Sequence, residues 1–111
     1  MIERKDDICI LQITVPDESV AETITRAVLE DHLAACVHLS PVKSRYLWKG
    51  EISRDDELLL CMKTTMAAVD ELERVIRGLH PYEVPEILVL PVAGGSEDYI
   101  AWVEGCISGR R

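Results

Sequence analysis

The chain has 111 residues, of which 48% are hydrophobic and 29% are charged. This is the composition of one ordinary soluble globular domain, and the length leaves no room for two. Acidic residues outnumber basic residues by 20 to 12, which gives a formal net charge of −8. The acidic excess argues against nucleic acid or anionic lipid as a partner, because both require basic patches that neutralise phosphate.

No apolar stretch approaches the roughly 18 residues that a membrane span needs, and residues 1–7 are too charged to form a secretory signal. The cysteines are widely spaced and form no C-x-x-C pair; they are Cys9, Cys36, Cys61 and Cys106. Cysteines inside apolar runs are typical of free, buried thiols rather than of disulfides or a closed zinc site. These features together predict a cytoplasmic protein with no membrane partner.

The chain begins with a predicted strand followed by a helix. Apolar and mixed residues alternate over 8–15, as expected of a strand with one buried face. Pro16 stops this strand, and Asp17 is well placed to cap the helix that follows. Helical spacing of apolar residues extends this helix to about His32.

A long hairpin is predicted in the middle of the chain. Residues 34–39 form a second strand, which Pro41 interrupts as a bulge or at a sheet edge. Extended residues resume at 44–49, and Gly50 marks a turn. Residues 51–65 then return as a second long extended arm.

The last third of the chain is predicted to contain a helix, a strand and a short terminal helix. Thr64 or Thr65 is expected to cap the first of these helices, which ends near Gly78. Residues 86–92 predict a strand, and a short helix follows up to Ile107.

This order predicts an α+β fold, a ferredoxin-like βαββαβ sandwich with a long central hairpin and a C-terminal helix. The whole chain, 1–111, is expected to form one domain, with 1–7 and 108–111 frayed. The hairpin arms exceed the usual strand length of about five or six residues, so they extend beyond the domain body. Exposed arms are unpaired edges that another subunit would cover, and three apolar residues lie on them: Tyr46, Leu47 and Trp48.

The segment from His80 to Glu86 is the strongest candidate for chemistry. Pro81 and Pro85 restrict its backbone, so the polar side chains between them are held in fixed positions. An imidazole beside the carboxylates of Glu83 and Glu86 suits a divalent metal such as copper or zinc, or a proton-transfer pair. The alternative is structural: His80 interacts with the carbonyl end of the preceding helix, and the prolines terminate that helix.

Three further groups of residues have both a functional and a structural interpretation. Cys36 and His38 share one face of a strand and could reach one ion, although Cys36 lies in a run that is typical of core packing. Lys63 precedes a helix N-terminus, which is a position suited to anions, but a subunit junction with a carboxylate partner is the simpler interpretation. The acidic run of 51–57 is interpreted as a solvated charged face.

Several motifs fall in the order and spacing of the CutA family of divalent-cation tolerance proteins, which the chain resembles from about Ile8 to Ile107. They are Thr14-Val15-Pro16-Asp17-Glu18, Leu33-Ala34-Ala35-Cys36-Val37, Tyr46-x-Trp48-x-Gly50, Lys63-Thr64-Thr65, His80 to Glu86, and Ala101-Trp102. The resemblance implies a ferredoxin-like subunit, a homotrimer built through the long hairpins, and a cytoplasmic protein linked to tolerance of copper and other divalent metals. It also implies a likeness to the PII signalling trimers, whose clefts lie between subunits, and no enzyme activity.

The chain departs from this family at two proposed copper ligands. Some members carry a second histidine before the H-P-Y-E segment and a cysteine near the end of the first strand. Leu79 and Ile13 stand at these positions here, so only His80 remains of the three.

The resulting hypothesis is a trimeric divalent-cation tolerance or response protein that binds a metal or a small ligand and is not an enzyme. A divalent metal such as copper would bind weakly at His80 with Cys36, Glu83 or Glu86. An inter-subunit cleft would contain three further residues, Tyr82, Lys63 and Trp48. The alternative is a PII-like trimer that signals by binding an organic ligand or a partner protein between subunits.

Overall fold

The computed structural model of the chain describes residues 2–4 and 7–108. The strands are β1 (Ile2–Arg4), β2 (Ile8–Val15), β3 (Cys36–Trp48), β4 (Glu51–Thr65), β5 (Ile87–Pro91) and β6 (Gly94–Ser96). The helices are α1 (Glu18–Glu30), α2 (Val69–Leu79), which follows a single 3-10 turn at Met66–Ala68, and α3 (Glu97–Ser108). None of these described helices is long and apolar enough to cross a membrane.

The chain ends differ in part from the frayed segments expected of them. Residues 2–4 form β1, which pairs antiparallel with residues 94–96 of β6. Ser108 is the last residue of α3. Asp7 forms a bend. The other residues predicted to fray, which are 1, 5–6 and 109–111, lie outside the described part of the chain.

Four strands form one antiparallel sheet in the order β3-β4-β2-β5. Alternation puts the apolar side chains of β2 and β4 on the face that α1 and α2 cover. The residues of this core that are fully buried include Leu11, Ile13, Val15, Ile24, Val28, Leu60, Met62, Leu72 and Ile76. A smaller cluster, in which Ile8 contacts Ile100 and Val103, attaches α3 to the sheet.

The central hairpin is continuous from end to end. Its turn consists of Lys49 and Gly50, whose φ angles are 53° and 81°. Positive φ at both central residues is what a two-residue hairpin turn needs if it is to match the twist of the two strands. The predicted interruption at Pro41 does not occur, because Pro41 remains paired opposite Leu58 within β3. This strand lies at the sheet edge, so the N–H that proline lacks is not needed by a second neighbour.

The helix ends follow the predicted chemistry at one position and depart from it at two. The Asp17 carboxylate accepts a hydrogen bond from the Val20 N–H at 2.9 Å, which confirms Asp17 as the N-cap of α1. This helix ends at Glu30 rather than at His32, whose φ of 56° is not helical. Thr65 makes no capping bond, and the Thr64 hydroxyl instead donates to the Leu33 carbonyl at 2.6 Å.

Candidate functional site

The loop that follows α2 is anchored to the sheet by His80. The His80 side chain is buried, with 8% of the residue exposed, although it lies just after the helix end. Its ring Nε2 lies 2.7 Å from the carbonyl oxygen of Thr14, near the end of β2. Its ring Nδ1 lies 3.1 Å from the backbone N–H of Tyr82.

These two partners define which ring nitrogen carries the proton. A carbonyl oxygen only accepts hydrogen bonds, so Nε2 must be the donor toward Thr14. A backbone N–H only donates, so Nδ1 must be the acceptor from Tyr82. His80 is therefore a neutral imidazole protonated at Nε2, and both nitrogens are already occupied by the protein. The alternative interpretation, in which His80 interacts with the carbonyl end of α2, is confirmed for its backbone, because the His80 N–H donates to the Ile76 carbonyl at 2.8 Å. It does not describe the ring, which reaches β2 instead.

The loop next reaches across to the hairpin through Tyr82. The Tyr82 hydroxyl donates to the Glu57 carboxylate at 2.9 Å. Burial, and next to it the hydrogen bond to Glu57, raises the pKa of Tyr82 well above its ordinary value, so this phenol stays protonated and remains a donor. Glu57 is itself buried, with 7% exposed, although the sequence predicts it on a solvated charged face. The partner that covers it is the loop, which lies 25 residues further along the chain.

A cavity of about 720 Å³ lies between the hairpin and this loop. The far half of the hairpin forms one wall and the segment from Tyr82 to Glu86 forms the other. The lining residues are Thr14, Lys43, Ser44, Arg45, Tyr46, Trp48, Asp55, Glu57, Tyr82, Glu83, Val84, Pro85 and Glu86. Of the predicted site residues, Tyr82, Trp48, Glu83 and Glu86 are thus brought together in one cleft, which we call the hairpin cleft.

Carboxylates outnumber cationic side chains in the hairpin cleft by four to two. Neutral donors hold three of these carboxylates: Tyr82 bonds Glu57, Tyr46 bonds Asp55, and the Gln12 amide donates to Glu86 at 3.0 Å. A neutral donor orients a carboxylate but leaves its negative charge in place. The cleft therefore combines acidic groups with aromatic surface from its tyrosines and tryptophan.

Lys63 and Cys36 lie elsewhere. The Lys63 ammonium donates to His38 Nδ1 at 2.7 Å, and Cys36 is opposite Lys63 in the β3–β4 ladder. Thr14, whose carbonyl anchors His80, is opposite Leu59, four residues along β4 from Lys63. Four residues of a strand span about 13 Å. Neither Lys63 nor Cys36 lines the hairpin cleft.

Direct metal binding by the predicted ligands stays a prediction. Among residues 2–4 and 7–108, no three histidine, cysteine, aspartate or glutamate side chains are grouped so that they could hold an ion. Coordination by His80 requires the loss of one of its two hydrogen bonds. The carboxylates of Glu83 and Glu86 line the cleft, while Cys36 is remote from it.

Sequence reasoning missed several residues of the hairpin cleft, above all Glu57 and Asp55. The signal that could have found them is the turn. A two-residue turn at Lys49-Gly50 fixes the register of both arms and places Ser44 opposite Asp55. Counting along that register assigns every hairpin residue to a face, although it does not reveal that the His80 loop packs against that face.

Comparison with known proteins gives a consistent result. The CutA1 divalent ion tolerance protein family matches residues 9–106. The divalent-cation tolerance protein CutA of Thermus thermophilus is 48% identical over 95 residues, which are 85% of this chain and 92% of that protein. Protein CutA of Homo sapiens is also 48% identical, over 92 residues, but the match spans only 51% of its length.

A solved structure agrees along nearly the whole chain. CutA from Synechococcus elongatus, complexed with a Bis-Tris molecule, has a TM-score of 0.89 and 34% identity, and the match covers 96% of this chain and 99% of that one. The antiparallel sheet and the three helices are thus shared with a solved CutA structure. By its sequence match over residues 9–106 and by its fold, this chain belongs to the CutA1 divalent ion tolerance protein family.

Proposed function

We propose that this protein serves divalent-cation tolerance as a homotrimer that binds a small organic cation in the hairpin cleft, without catalysis. The single observation that carries the proposal is the cleft itself. Its volume of about 720 Å³ lies in the range of about 300–1,000 Å³ that is typical of small-molecule sites. A bare metal ion needs far less space than this.

The side chains of the cleft favour a protonated amine that carries hydroxyl groups. Four carboxylates face two cationic side chains, so the local charge attracts a cation. Tyr46, Trp48 and Tyr82 offer aromatic faces to an ammonium group, which is attracted by the ring quadrupole. Ser44 and Thr14 add polar groups suited to ligand hydroxyls.

The relative from Synechococcus elongatus supports this ligand class. Its structure was solved with Bis-Tris, an amine with several hydroxyl groups. Bis-Tris is an additive rather than a biological ligand, but it is a soluble probe of the chemistry that the hairpin cleft offers. The alternative of a PII-like signalling trimer is not favoured by the matched proteins, whose names concern divalent-cation tolerance.

Assembly into a ferredoxin-like homotrimer is part of the proposal. Apolar side chains of the hairpin tip are exposed, with 77% of Leu47 and 71% of Ile52 accessible in the single chain. Leu88, Val89 and Leu90 of the edge strand β5 are also exposed. Edges and apolar patches of this kind are commonly covered by another subunit. The cytoplasmic location stays a prediction from the sequence.

Calorimetric titration of the tag-free protein with Bis-Tris in phosphate buffer tests the ligand class. We expect saturable binding that Glu57→Gln weakens about tenfold, because the buried carboxylate loses its charge while it can still accept from Tyr82. Glu51→Gln, in the first residue of β4 and outside the cleft lining, is the matched control and should bind as the wild type does. Absence of saturable binding, or equal binding by both variants, would contradict the proposal.

Separate titrations with Cu²⁺, Zn²⁺ and Co²⁺ test the metal hypothesis without a competing amine. If a metal binds saturably and Glu57→Gln does not change the affinity for Bis-Tris, direct metal binding replaces the proposed function. Titration of His80→Ala with the same metal then shows whether His80 is one of the ligands, because this variant lacks the imidazole. If none of the three metals saturates the protein, the tolerance function does not rest on direct metal binding.

A further inference from the structure

His80 connects three separate parts of the chain. It is the residue that follows α2, its Nε2 donates to the Thr14 carbonyl at the end of β2, and its Nδ1 accepts from Tyr82 in the loop. The backbone N–H of His80 also donates to the Ile76 carbonyl at 2.8 Å. Both ring nitrogens and the backbone N–H of His80 are therefore hydrogen-bonded.

We infer that His80 is a positioning residue of the hairpin cleft: its Nε2-protonated ring holds Tyr82 so that the phenol meets Glu57. This inference rests on the proposed function, because it concerns the same cleft. It also assigns His80 a role other than metal ligation.

The bond from Tyr82 N–H to His80 Nδ1 has the form of an Asx turn. In such a turn, an Asn or Asp side chain accepts from the backbone N–H two residues further on. Here the imidazole Nδ1 takes the place of the side-chain oxygen. Pro81 between them has a restricted φ and no N–H of its own, so the turn has one backbone donor and His80 satisfies it.

The second ring bond decides where this turn is placed. The Thr14 carbonyl belongs to a buried residue, 8% exposed, and His80 Nε2 is its side-chain partner. Loss of that donor removes a hydrogen bond from the carbonyl of a buried residue, which is costly. The rings of His80 and Tyr82 also contact each other, with centroids 4.7 Å apart and planes tilted by 55°. Tyr82 is thus oriented by its own backbone, by its ring contact and by its bond to Glu57.

Two conservative variants separate the two ring bonds. His80→Asn keeps an acceptor where Nδ1 stands, so it retains the turn to Tyr82 N–H. His80→Gln keeps a longer donor toward Thr14 but lacks an acceptor at the Nδ1 position. His80→Ala removes both bonds. His38→Asn is the control, since His38 is exposed and bonds Lys63 away from the hairpin cleft.

The experiment combines Bis-Tris affinity with ¹H–¹⁵N spectra of the intact protein. We expect the wild-type His80 ring at pH 7 to show the Nε2-protonated neutral tautomer. We expect the Tyr82 amide signal to move less in His80→Asn than in His80→Ala and His80→Gln, because only His80→Asn keeps the acceptor for this N–H. Bis-Tris should bind about tenfold more weakly to His80→Ala, and His80→Asn, which keeps only the turn, should recover part of that loss. His38→Asn should bind as the wild type does.

The inference is overturned if the ring is Nδ1-protonated or cationic at pH 7, or if His80→Ala binds Bis-Tris as the wild type does. It is also overturned if His80→Asn loses as much affinity as His80→Ala. If the wild-type protein does not bind Bis-Tris, the proposed function fails. The tautomer and the Tyr82 amide signal in the ligand-free protein then still decide for or against the role of His80.

Discussion

The two halves of strand β4 differ in what covers them. In the half next to the helices, Leu60, Met62 and Thr64 are fully buried. In the half next to the turn, Ile52 is 71% exposed, and its cross-strand partner Leu47 is 77% exposed. Backbone pairing with β3 continues through both halves, so the ladder alone does not create a core. A bare two-stranded ribbon is marginal in water, and the proposed homotrimer would cover the exposed apolar side chains of the turn half.

The strongest test of this contrast places charges on the hairpin tip. We expect the double variant Leu47→Asp and Ile52→Asp to convert a trimer into monomers, because two carboxylates would have to be desolvated at the subunit contact. Light scattering would show an about threefold drop in mass. Leu29→Asp, at an exposed leucine of α1, is the control and should leave the mass unchanged. A double variant that keeps the wild-type mass, or a monomeric wild type, would contradict the proposed role of the tip.

The covered half is tested by truncating one buried leucine. Leu60→Ala should lower the free energy of unfolding by about 2–5 kcal/mol, because it removes buried methyl groups and leaves a cavity under α1 and α2. Leu59→Ala is the adjacent control, since its side chain points to the opposite face and is only partly buried. Urea unfolding of both variants gives the comparison. Equal losses would show that the helices do not distinguish the two faces of β4.

A smaller effect is expected at the helix that covers this half. Asp17→Ala removes the acceptor for the Val20 N–H and should cost about 1 kcal/mol of unfolding free energy. Asp17→Asn keeps a capping oxygen and should retain most of the stability. Thermal or urea unfolding measures both variants. If Asp17→Asn is as unstable as Asp17→Ala, the carboxylate charge rather than the cap is what stabilises α1.

The smallest expected effect is seen in alkali and concerns the tyrosines. The hydrogen bond to Asp55 raises the pKa of Tyr46, and burial raises the pKa of both Tyr82 and Tyr99. A group whose folded pKa is raised contributes its stability fully below the unfolded pKa of about 10. That contribution is lost as the pH rises through the folded value, because the unfolded chain releases the proton first.

Tyrosinate absorbance of native and urea-unfolded protein measures this difference. All three tyrosines of the chain should titrate at higher pH in the native protein. Tyr82→Phe should remove the most strongly shifted of the three transitions. A native titration that coincides with the unfolded one would contradict the hydrogen bonds assigned to Tyr46 and Tyr82.

Local patterns predicted much of the fold correctly. Alternation identified β2, helical spacing together with Asp17 identified α1, and Gly50 marked the hairpin turn. Each of these features depends on residues that are close in sequence. Pro41 predicted either a bulge or a sheet edge, and the edge is confirmed, whereas the interruption of the strand is not.

The hairpin cleft could be predicted only in part. The two prolines and the polar residues between them identified the loop as rigid and chemically rich, and the cleft does include Tyr82, Glu83 and Glu86. The partners of the loop could not be predicted, because Thr14 is 66 residues from His80 and Glu57 is 25 residues from Tyr82. A charged residue such as Glu57 is expected in solvent until the side chain that covers it is known.

The distance along the chain between the walls of the hairpin cleft has a consequence for synthesis on the ribosome. One wall contains Thr14 and residues 43–57, and the other begins only at Tyr82. A growing chain can pair β3 with β4 as soon as the hairpin has emerged, but the cleft is open on one side until residue 86 has followed. Contacts this distant in sequence form late, because the intervening loop must first be closed. Nascent chains that end before residue 86 lack one wall of the cleft, so the proposed ligand could bind only after that wall has been synthesised.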